Sequence, residues 1–214
     1  MSEVVLHDFW RSSAAYRVRI VLELKGVAFR SVAVDLPSGE QRGEAFRALN
    51  PLGLVPLLEI DGHRLTQSLA IIDYLDANFE TPKMVSADPA QRALTLAQAL
   101  TIAAEIHPLQ NLRVLNYLRE DMGQPEPAVL AWLHRWLGDG LAALEAQAPE
   151  AGLFGGEAPN LAPNLTDVCL VPQMYSARRF GLPLEALPRL VRIDAALSAL
   201  DPFARAAPDA VKPA

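Results

Sequence analysis

The stretch VVLHDFWRSSAAYRVRIVLELKG, residues 4–26, joins an apolar run to an apolar helical pattern through a short polar turn. The run VVLHDF predicts a strand, and residues 14–25 predict a helix whose apolar side chains recur at helical spacing. The turn between them holds Arg11, Ser12 and Ser13. Serine at the mouth of a helix either only caps it, or belongs to a turn that receives a negatively charged group.

The residues that follow complete a small α/β unit. AFRSVAVDL, residues 28–36, alternates like a second strand, and a strand–helix–strand unit of this length favours a parallel pair. Residues 41–49 predict a short, irregular helix. VPLLEIDGHRL, residues 55–65, predicts a hairpin with Asp-Gly at its turn, and residues 67–79 predict the helix that closes the unit.

The remainder of the chain predicts helices only. ETPKMVSADP, residues 80–89, has two prolines and no periodicity and is typical of a linker. The Asp-Pro pair at its end predicts a helix start. This helical pattern continues to about Arg119, with a bend at Pro108. Further helices are predicted at about 126–147, 164–180 and 187–200.

Composition narrows the classes of function. With 51% hydrophobic and 21% charged residues the chain is expected to bury a sizeable core. A net charge of −6 argues against a general nucleic-acid binder. The single cysteine, Cys169, excludes an internal disulfide framework and fits a reducing compartment. No run is long and apolar enough for a membrane span or a signal peptide. We therefore expect a cytoplasmic protein with no membrane or nucleic-acid partner and no metal site.

The serine turn has the properties that a thiolate requires. A free thiol with a pKa of about 8.5 is only slightly ionised at neutral pH. A hydroxyl, free backbone N–H groups and the positive end of a helix would stabilise its anion. From the residues alone, capping and anion binding both stay open for Ser12 and Ser13.

Two further motifs in the α/β part also allow two interpretations. Pro56 enters a strand, and its bond to Val55 is either an ordinary trans bond or a cis bond that turns the Val55 backbone groups towards an extended peptide. Gln67 and Ser68 begin a helix, where they either cap it or donate to a carboxylate.

Polar residues in the helical part form two more candidates. His107 and Asn111 lie four residues apart and are expected to share a helix face, with Arg113 off that face. They either bind a ligand or are only the polar rim of a kinked helix. Arg179 ends a later helix, where it either complements the helix dipole or binds an anion. Only three of the 19 basic residues are lysines, so an arginine in this chain is weaker support for anion binding than elsewhere.

The order of these motifs resembles that of cytosolic glutathione transferases, and more narrowly the zeta class. The segments that carry the resemblance are FWRSSAAYRVRI, ALNPLGLVPLLEIDG, LTQSLAIIDYL, IHPLQNLRVLNYL, NLTDVCLVPQ and ARRFGLPLEALPRL. The serine turn running into RVRI is the most class-specific of them, whereas VP and QS are shared by glutathione transferases in general. The resemblance covers nearly the whole chain.

The resemblance implies a fold and a cofactor. The fold is a thioredoxin-like, glutathione-binding domain over 1–82 followed by an all-helical glutathione-transferase domain over 83–214, in a homodimer. The cofactor is glutathione, with Pro56 cis and Val55 paired with the cysteinyl backbone. The implied glutathione-binding residues are Ser12, Ala14, Gln41, Val55, Pro56, Gln67, Ser68, His107 and Asn111.

The resemblance also implies two local features. Asn164 and Asp167 match the family's helix-capping box, with Asn in place of the commoner Ser or Thr. Ala14 replaces a cysteine that many zeta enzymes carry, so the serines must act on the thiolate without it. Cys169 lies in the capping-box helix and is expected in the core.

The implied activity is isomerisation of maleylacetoacetate to fumarylacetoacetate. Ser12, Ser13 and Arg11 are the implied catalytic residues, with Ser12 as main donor to the thiolate. The implied carboxylate-binding residues for a diacid substrate are Arg11, Arg113 and Arg179. Isomerisation of maleylpyruvate is the nearest alternative, followed by general glutathione conjugation and by non-catalytic glutathione binding.

Overall fold

The computed structural model describes residues 3–156 and 162–213. The chain divides into two compact units, the α/β unit (residues 1–84 with 199–214) and the helical unit (residues 85–198). This differs from the sequence-based division into 1–82 and 83–214, because the end of the chain groups with the first unit. The reason is that the helix Asp201–Ala206 packs against the first helix of the chain.

The α/β unit contains a four-stranded sheet. Its strands are β1 (Val5–Asp8), β2 (Arg30–Ala33), β3 (Leu57–Ile60) and β4 (His63–Thr66), in the order β2-β1-β3-β4. β1 and β2 are parallel, as predicted, whereas β3 is antiparallel to β1 and to β4. All four residues of β1 are buried, as expected for a strand with neighbours on both sides.

The α/β unit also contains five α-helices within the described residues. They are α1 (Ser13–Leu24), α2 (Glu44–Leu49), α3 (Ser68–Asn78), α9 (Asp201–Ala206) and α10 (Pro208–Val211). α1 packs against both α3 and α9, so its residues from 15 to 22 are all buried. The sequence did not predict α9 or α10.

Two local predictions in this unit are confirmed. Asp61 and Gly62 have φ angles of 49° and 79°, which form the tight turn between β3 and β4. The Val55–Pro56 bond is cis, as the resemblance implied. A second cis bond, Thr81–Pro82, was not predicted.

The helical unit contains five α-helices within the described residues. They are α4 (Pro89–Leu100), α5 (Leu112–Asn116), α6 (Glu126–Glu145), α7 (Leu165–Arg179) and α8 (Pro188–Ser198). Asp88 caps α4 as predicted, its Oδ1 accepting from the Gln91 N–H at 2.8 Å. Cys169 is fully buried in α7, as expected.

The prediction of one bent helix reaching Arg119 is wrong. After α4 the chain forms a π-helical turn (Thr101–Ile106) and a 3-10 turn (His107–Gln110) before α5, and a second π-helical turn (Tyr117–Asp121) follows. The regular α-helical ladder ends at Leu100, and the backbone leaves the helical region at Asn111. Pro108, which has no N–H to donate, lies in the 3-10 turn between these two points. In the described part of the chain, no helix is both long enough and apolar enough to cross a membrane.

Candidate functional site

The serine turn, residues 9–13, leads from β1 into α1. The Ser12 N–H donates to the Phe9 carbonyl at 2.8 Å, which closes the turn. Ser12 is the N-cap of α1, with φ −71° and ψ 117°, and its Oγ accepts from the Ala15 N–H at 3.2 Å. The capping interpretation of Ser12 is therefore confirmed.

Capping uses only part of the hydrogen-bonding capacity of the Ser12 hydroxyl. A hydroxyl has one donor and two acceptor positions, and the cap uses an acceptor position. The O–H proton is not used by the cap, and N–H groups of the first helical turn lack partners inside the helix. Ser12, Ser13 and Ala14 are half-buried, so they remain accessible from solvent. The two interpretations of this turn are thus compatible.

Arg11 adds a positive charge to the serine turn. Its guanidinium carbon lies 5.1 Å from the centre of the Trp10 ring and 5.9 Å from that of Phe9, within the range of cation–π contacts. No ion pair among the described residues includes Arg11. Within the described residues, the Arg11 guanidinium therefore lies against aromatic rings and is not paired with a carboxylate.

The loop before β3 presents backbone groups and one buried side-chain oxygen. In the described part of the chain, neither backbone polar group of Val55 bonds to another backbone group. Gln41 is nine-tenths buried, and its Oε1 has no hydrogen-bond partner among the described residues. A Cβ on Gly53 would lie 2.7 Å from the Gln41 carbonyl oxygen, so the loop needs glycine there to approach Gln41. Gln41 and Val55 thus both have hydrogen-bonding capacity for a ligand.

Gln67 and Ser68 begin α3 in an unusual conformation. Gln67 has φ 66° and ψ 113°, and its side chain makes no capping hydrogen bond. A positive φ at a non-glycine residue is costly and persists where the surroundings enforce it. Ser68 is buried, and its Oγ accepts from Arg17 Nη1 at 3.3 Å. Gln67 is therefore not a conventional side-chain cap, and a buried contact ties the start of α3 to α1.

The structure does not form the helix face that was predicted for His107 and Asn111. His107 is half-buried in the 3-10 turn, and Asn111 has φ −62° and ψ 142°, outside the helical region. Asn111 instead caps α5, its Oδ1 accepting from the Arg113 N–H at 3.2 Å. Arg113 is exposed in the first turn of α5. Spacing of i and i+4 implies a shared face only in a continuous helix, and this one is interrupted at Asn111 itself.

The two arginines at the end of α7 differ in their surroundings. Arg178 Nη1 lies 2.6 Å from Asp194 Oδ2, and the Asp194 side chain is 4% exposed. Burial raises the pKa of Asp194, although the Arg178 charge opposes that effect. Arg179 is exposed, and its guanidinium carbon lies 4.3 Å from the centre of the Phe180 ring. Both arginines are exposed, but Arg178 links α7 to α8 through Asp194, whereas Arg179 lies against the Phe180 ring.

The predicted capping box at the start of α7 is confirmed. Asn164 Oδ1 accepts from the Asp167 N–H at 3.2 Å, and Asp167 Oδ2 accepts from the Asn164 N–H at 3.0 Å. Asp167 also accepts from the N–H groups of Phe154 and Gly155. Burial raises the pKa of Asp167 to about 6, although these three amide donors lower it. This carboxyl group ties the loop before α7 to the helix that ends at Arg179.

Sequence analysis did not single out Asp8, Arg17 or Arg19, which are buried around the serine turn and α1. The spacing of the two arginines was a usable signal. Positions i and i+2 lie about 200° apart on a helix, so Arg17 and Arg19 cannot share one solvent-facing side. At least one of them had to be buried, and a buried charge requires partners.

Known proteins share both the sequence and the fold. Residues 11–78 match the family model of the glutathione S-transferase N-terminal domain. The maleylacetoacetate isomerase of Rhizobium meliloti (strain 1021) is 46% identical, with 99% of each chain covered.

Two solved structures are similar over nearly the full length. A holo maleyl pyruvate isomerase, described as a bacterial zeta-class glutathione S-transferase, gives a TM-score of 0.93 at 42% identity and covers 97% of this chain and 98% of that one. The maleylacetoacetate isomerase of Methylobacterium extorquens AM1 with bound malonate and glutathione gives 0.92 at 38% identity, covering 98% and 100%. The thioredoxin-like unit, the serine turn and this full-length similarity agree, and the chain belongs to the maleylacetoacetate isomerase family of zeta-class glutathione transferases.

Proposed function

We propose that this protein is a glutathione-dependent cis–trans isomerase that converts maleylacetoacetate to fumarylacetoacetate. The observation that carries the proposal is the serine turn, where Ser12 caps α1 through an acceptor position and keeps its O–H as a donor. The relative from Rhizobium meliloti, at 46% identity, supports the choice of reaction.

The α/β unit has groups that suit glutathione. Val55 offers a backbone N–H and a carbonyl to an extended peptide, and Gln41 offers a buried amide oxygen. Gln67 and Ser68 stand at the positive end of α3, which suits a carboxylate. The proposed glutathione-binding residues are Ser12, Ala14, Gln41, Val55, Pro56, Gln67 and Ser68, together with His107 and Asn111 of the helical unit.

The chemistry needs a thiolate and a place for negative charge. Glutathione, when bound, supplies the thiolate that adds to the cis double bond and leaves again after rotation, which gives the trans isomer and regenerates glutathione. Ser12, assisted by Ser13, donates a hydrogen bond to the sulfur and lowers its pKa. Arg11 lies in the same turn and stabilises negative charge on the substrate. Fixed donors of this kind contribute most when charge develops in the transition state.

A diacid substrate needs cationic groups for its carboxylates. We propose Arg11, Arg113 and Arg179 for this role. Arg113 and Arg179 are exposed, and guanidinium groups bind carboxylates with two parallel hydrogen bonds. The relative from Methylobacterium extorquens holds malonate, a dicarboxylate, together with glutathione.

Maleylpyruvate is the second candidate substrate, favoured by the TM-score of 0.93 to a maleyl pyruvate isomerase. The test is a side-by-side measurement of kcat/KM for both cis diacids, with and without glutathione. We expect isomerisation of maleylacetoacetate that stops when glutathione is removed. Faster turnover of maleylpyruvate would make it the proposed substrate and maleylacetoacetate the alternative. Full activity without glutathione, or activity only as a conjugating transferase on a chlorinated aromatic, would refute the proposal. Glutathione binding without any turnover would leave a binding protein.

We also propose that the protein is a cytoplasmic homodimer. The dimer is the assembly that the family resemblance implies, and exposed apolar side chains such as Leu52 (58%) and Leu94 (50%) are available to a partner. Cys169 is buried and is the only cysteine of the chain, so the chain has no internal disulfide, which suits a reducing compartment. Light scattering should give about twice the 23.3 kDa of one chain, and a monomer would refute the dimer.

A further inference from the structure

Arg19 is a buried cation in the middle of α1, with 1% of its surface exposed. Its Nη1 donates to Asp8 Oδ2 at 2.5 Å, its Nη2 to the Trp10 carbonyl at 3.0 Å, and its Nε to the Ala206 carbonyl at 2.9 Å. These acceptors belong to the end of β1, to the serine turn and to the end of α9. One planar guanidinium therefore joins α1 to two parts of the α/β unit that are distant in sequence, residues 8–10 and the end of α9.

The Trp10 carbonyl has a special place in the serine turn. Because the Ser12 N–H donates to the Phe9 carbonyl, residues 9–12 form a β-turn whose central peptide joins Trp10 to Arg11. The two commonest turn types differ by a flip of this central peptide. The peptide is planar and trans, so the Arg11 N–H points away from the carbonyl that Arg19 holds. The hydrogen bond from Arg19 thus fixes the direction of the Arg11 N–H and the course of the chain into Ser12.

The end of the chain takes part in the same contact. The Tyr16 O–H donates to the Phe203 carbonyl at 3.4 Å, which places α9 along α1. Lys212 Nζ lies 5.3 Å from the centre of the Trp10 ring, and the Arg11 guanidinium carbon lies 5.1 Å from the same ring. The residues that flank the central peptide of the turn are therefore held by Arg19 at the backbone and by Lys212 at the Trp10 ring.

We propose that Arg19 is a positioning residue for the serine turn, which holds the Trp10 carbonyl so that the donors of the turn keep one orientation towards the bound thiol. The proposal rests on the proposed function, because glutathione supplies that thiol. An ion pair that only stabilised α1 would be complete with Asp8. The additional hydrogen bond to Trp10 is the one that reaches the turn, and the Ala206 carbonyl completes the bonding of the guanidinium.

The test is the replacement Arg19→Lys. It keeps a positive charge opposite Asp8, but an ammonium group lacks the planar fork that reaches three acceptors. We expect the pKa of bound glutathione to rise by about half to one pH unit, with a kcat about 3- to 10-fold lower and a nearly unchanged KM for the diacid. The matched control is Arg205→Lys, since the Arg205 side chain is 56% exposed and pairs with Glu23 at 2.8 Å. Arg205→Lys should change neither the pKa of bound glutathione nor kcat.

A second variant covers the case in which Arg19→Lys does not fold. Arg19→Met combined with Asp8→Leu removes both buried charges and keeps similar volumes, a change that folded proteins often tolerate. A wild-type thiol pKa and kcat in either folded variant would overturn the positioning role. The thiol pKa is read from the ultraviolet absorbance of the glutathione complex without any diacid. A shifted thiol pKa in a protein that isomerises neither diacid would therefore support the positioning role and refute the proposed function.

Discussion

Replacing Ser12 separates its two roles, because different side chains retain different parts of its chemistry. Ser12→Ala removes both the capping acceptor for the Ala15 N–H and the hydroxyl donor. Ser12→Gly removes the donor, but glycine at an N-cap costs only a few tenths of a kcal/mol. Ser12→Thr keeps acceptor and donor. The three variants therefore separate the loss of the N-cap of α1 from the loss of the hydroxyl donor.

The expected magnitudes differ enough to be resolved. Loss of the cap in Ser12→Ala should lower the free energy of unfolding by about 1 kcal/mol, with little change in Ser12→Gly or Ser12→Thr. Loss of the donor should lower kcat/KM by about 100-fold in both the alanine and the glycine variants, which corresponds to about 2.7 kcal/mol of transition-state stabilisation. Stability and catalysis should thus fall together only in Ser12→Ala.

Three measurements check this expectation: urea unfolding, the pH dependence of kcat/KM, and titration of bound glutathione by its thiolate absorbance. In Ser12→Gly we expect a stable protein whose glutathione ionises at higher pH. Ser12→Thr is the control and should retain the wild-type profile. If Ser12→Gly ionises glutathione at the wild-type pH and turns over normally, Ser12 is only a cap. The donor would then be Ser13 or the backbone.

Three further predictions follow from contacts elsewhere in the molecule. Arg179→Lys should lower kcat/KM for the diacid about 10-fold, or about 1.4 kcal/mol, without changing glutathione affinity. The control is Arg178→Lys, which weakens the pair with Asp194 and should lower the stability of the protein only. Equal diacid kinetics in the two variants would refute the assignment of Arg179 to the substrate carboxylate. The pKa of Asp167, about 6, lies above its ordinary 3.8, so its contribution to stability falls as pH rises through about 6. The destabilisation caused by Asp167→Asn, followed by urea unfolding, should therefore be larger by about 2 kcal/mol at pH about 4 than at pH about 7, and a pH-independent difference would contradict this. Lys25→Met should lower the unfolding free energy by about 3 kcal/mol, because the buried Nζ donates to Asp76 at 3.0 Å and to the Phe79 and Pro82 carbonyls; an unchanged urea midpoint would show that water replaces it.

The features that sequence analysis predicted correctly are those that short stretches specify. The strand before the serine turn, the Asp-Gly hairpin and the capping box each depend on residues within a few positions of one another. The cis bond at Pro56 followed from the family resemblance. Periodicity alone could not reveal it, because an X-Pro bond in either form leaves the same pattern.

The features that it missed depend on contacts between distant segments. The helix ending at Leu24 buries all its residues from 15 to 22, although its sequence shows only one apolar stripe, because α9 covers a second side. No local pattern identifies α9 as that partner. The predicted face of His107 and Asn111 failed because the backbone leaves the helical region at Asn111, and the proline inside the helical pattern was a local signal against a continuous helix.

The buried polar side chains differ in whether their hydrogen bonds stay local or reach distant segments of the chain. Asp167 accepts three backbone N–H groups that all lie at the start of α7 or in the loop before it, so its contacts stabilise one local structure. Arg19 instead bonds to residues 8–10 and to the distant end of α9, and one of its acceptors lies in the turn that carries Ser12. A buried ion pair that served only for stability is often replaceable, when both partners are changed together, by well-packed apolar side chains without loss. Because Arg19 also donates to the Trp10 carbonyl, the side chain that stabilises the α/β unit also orients the serine turn. Its bond to the Ala206 carbonyl includes the C-terminal segment in the same hydrogen-bond network.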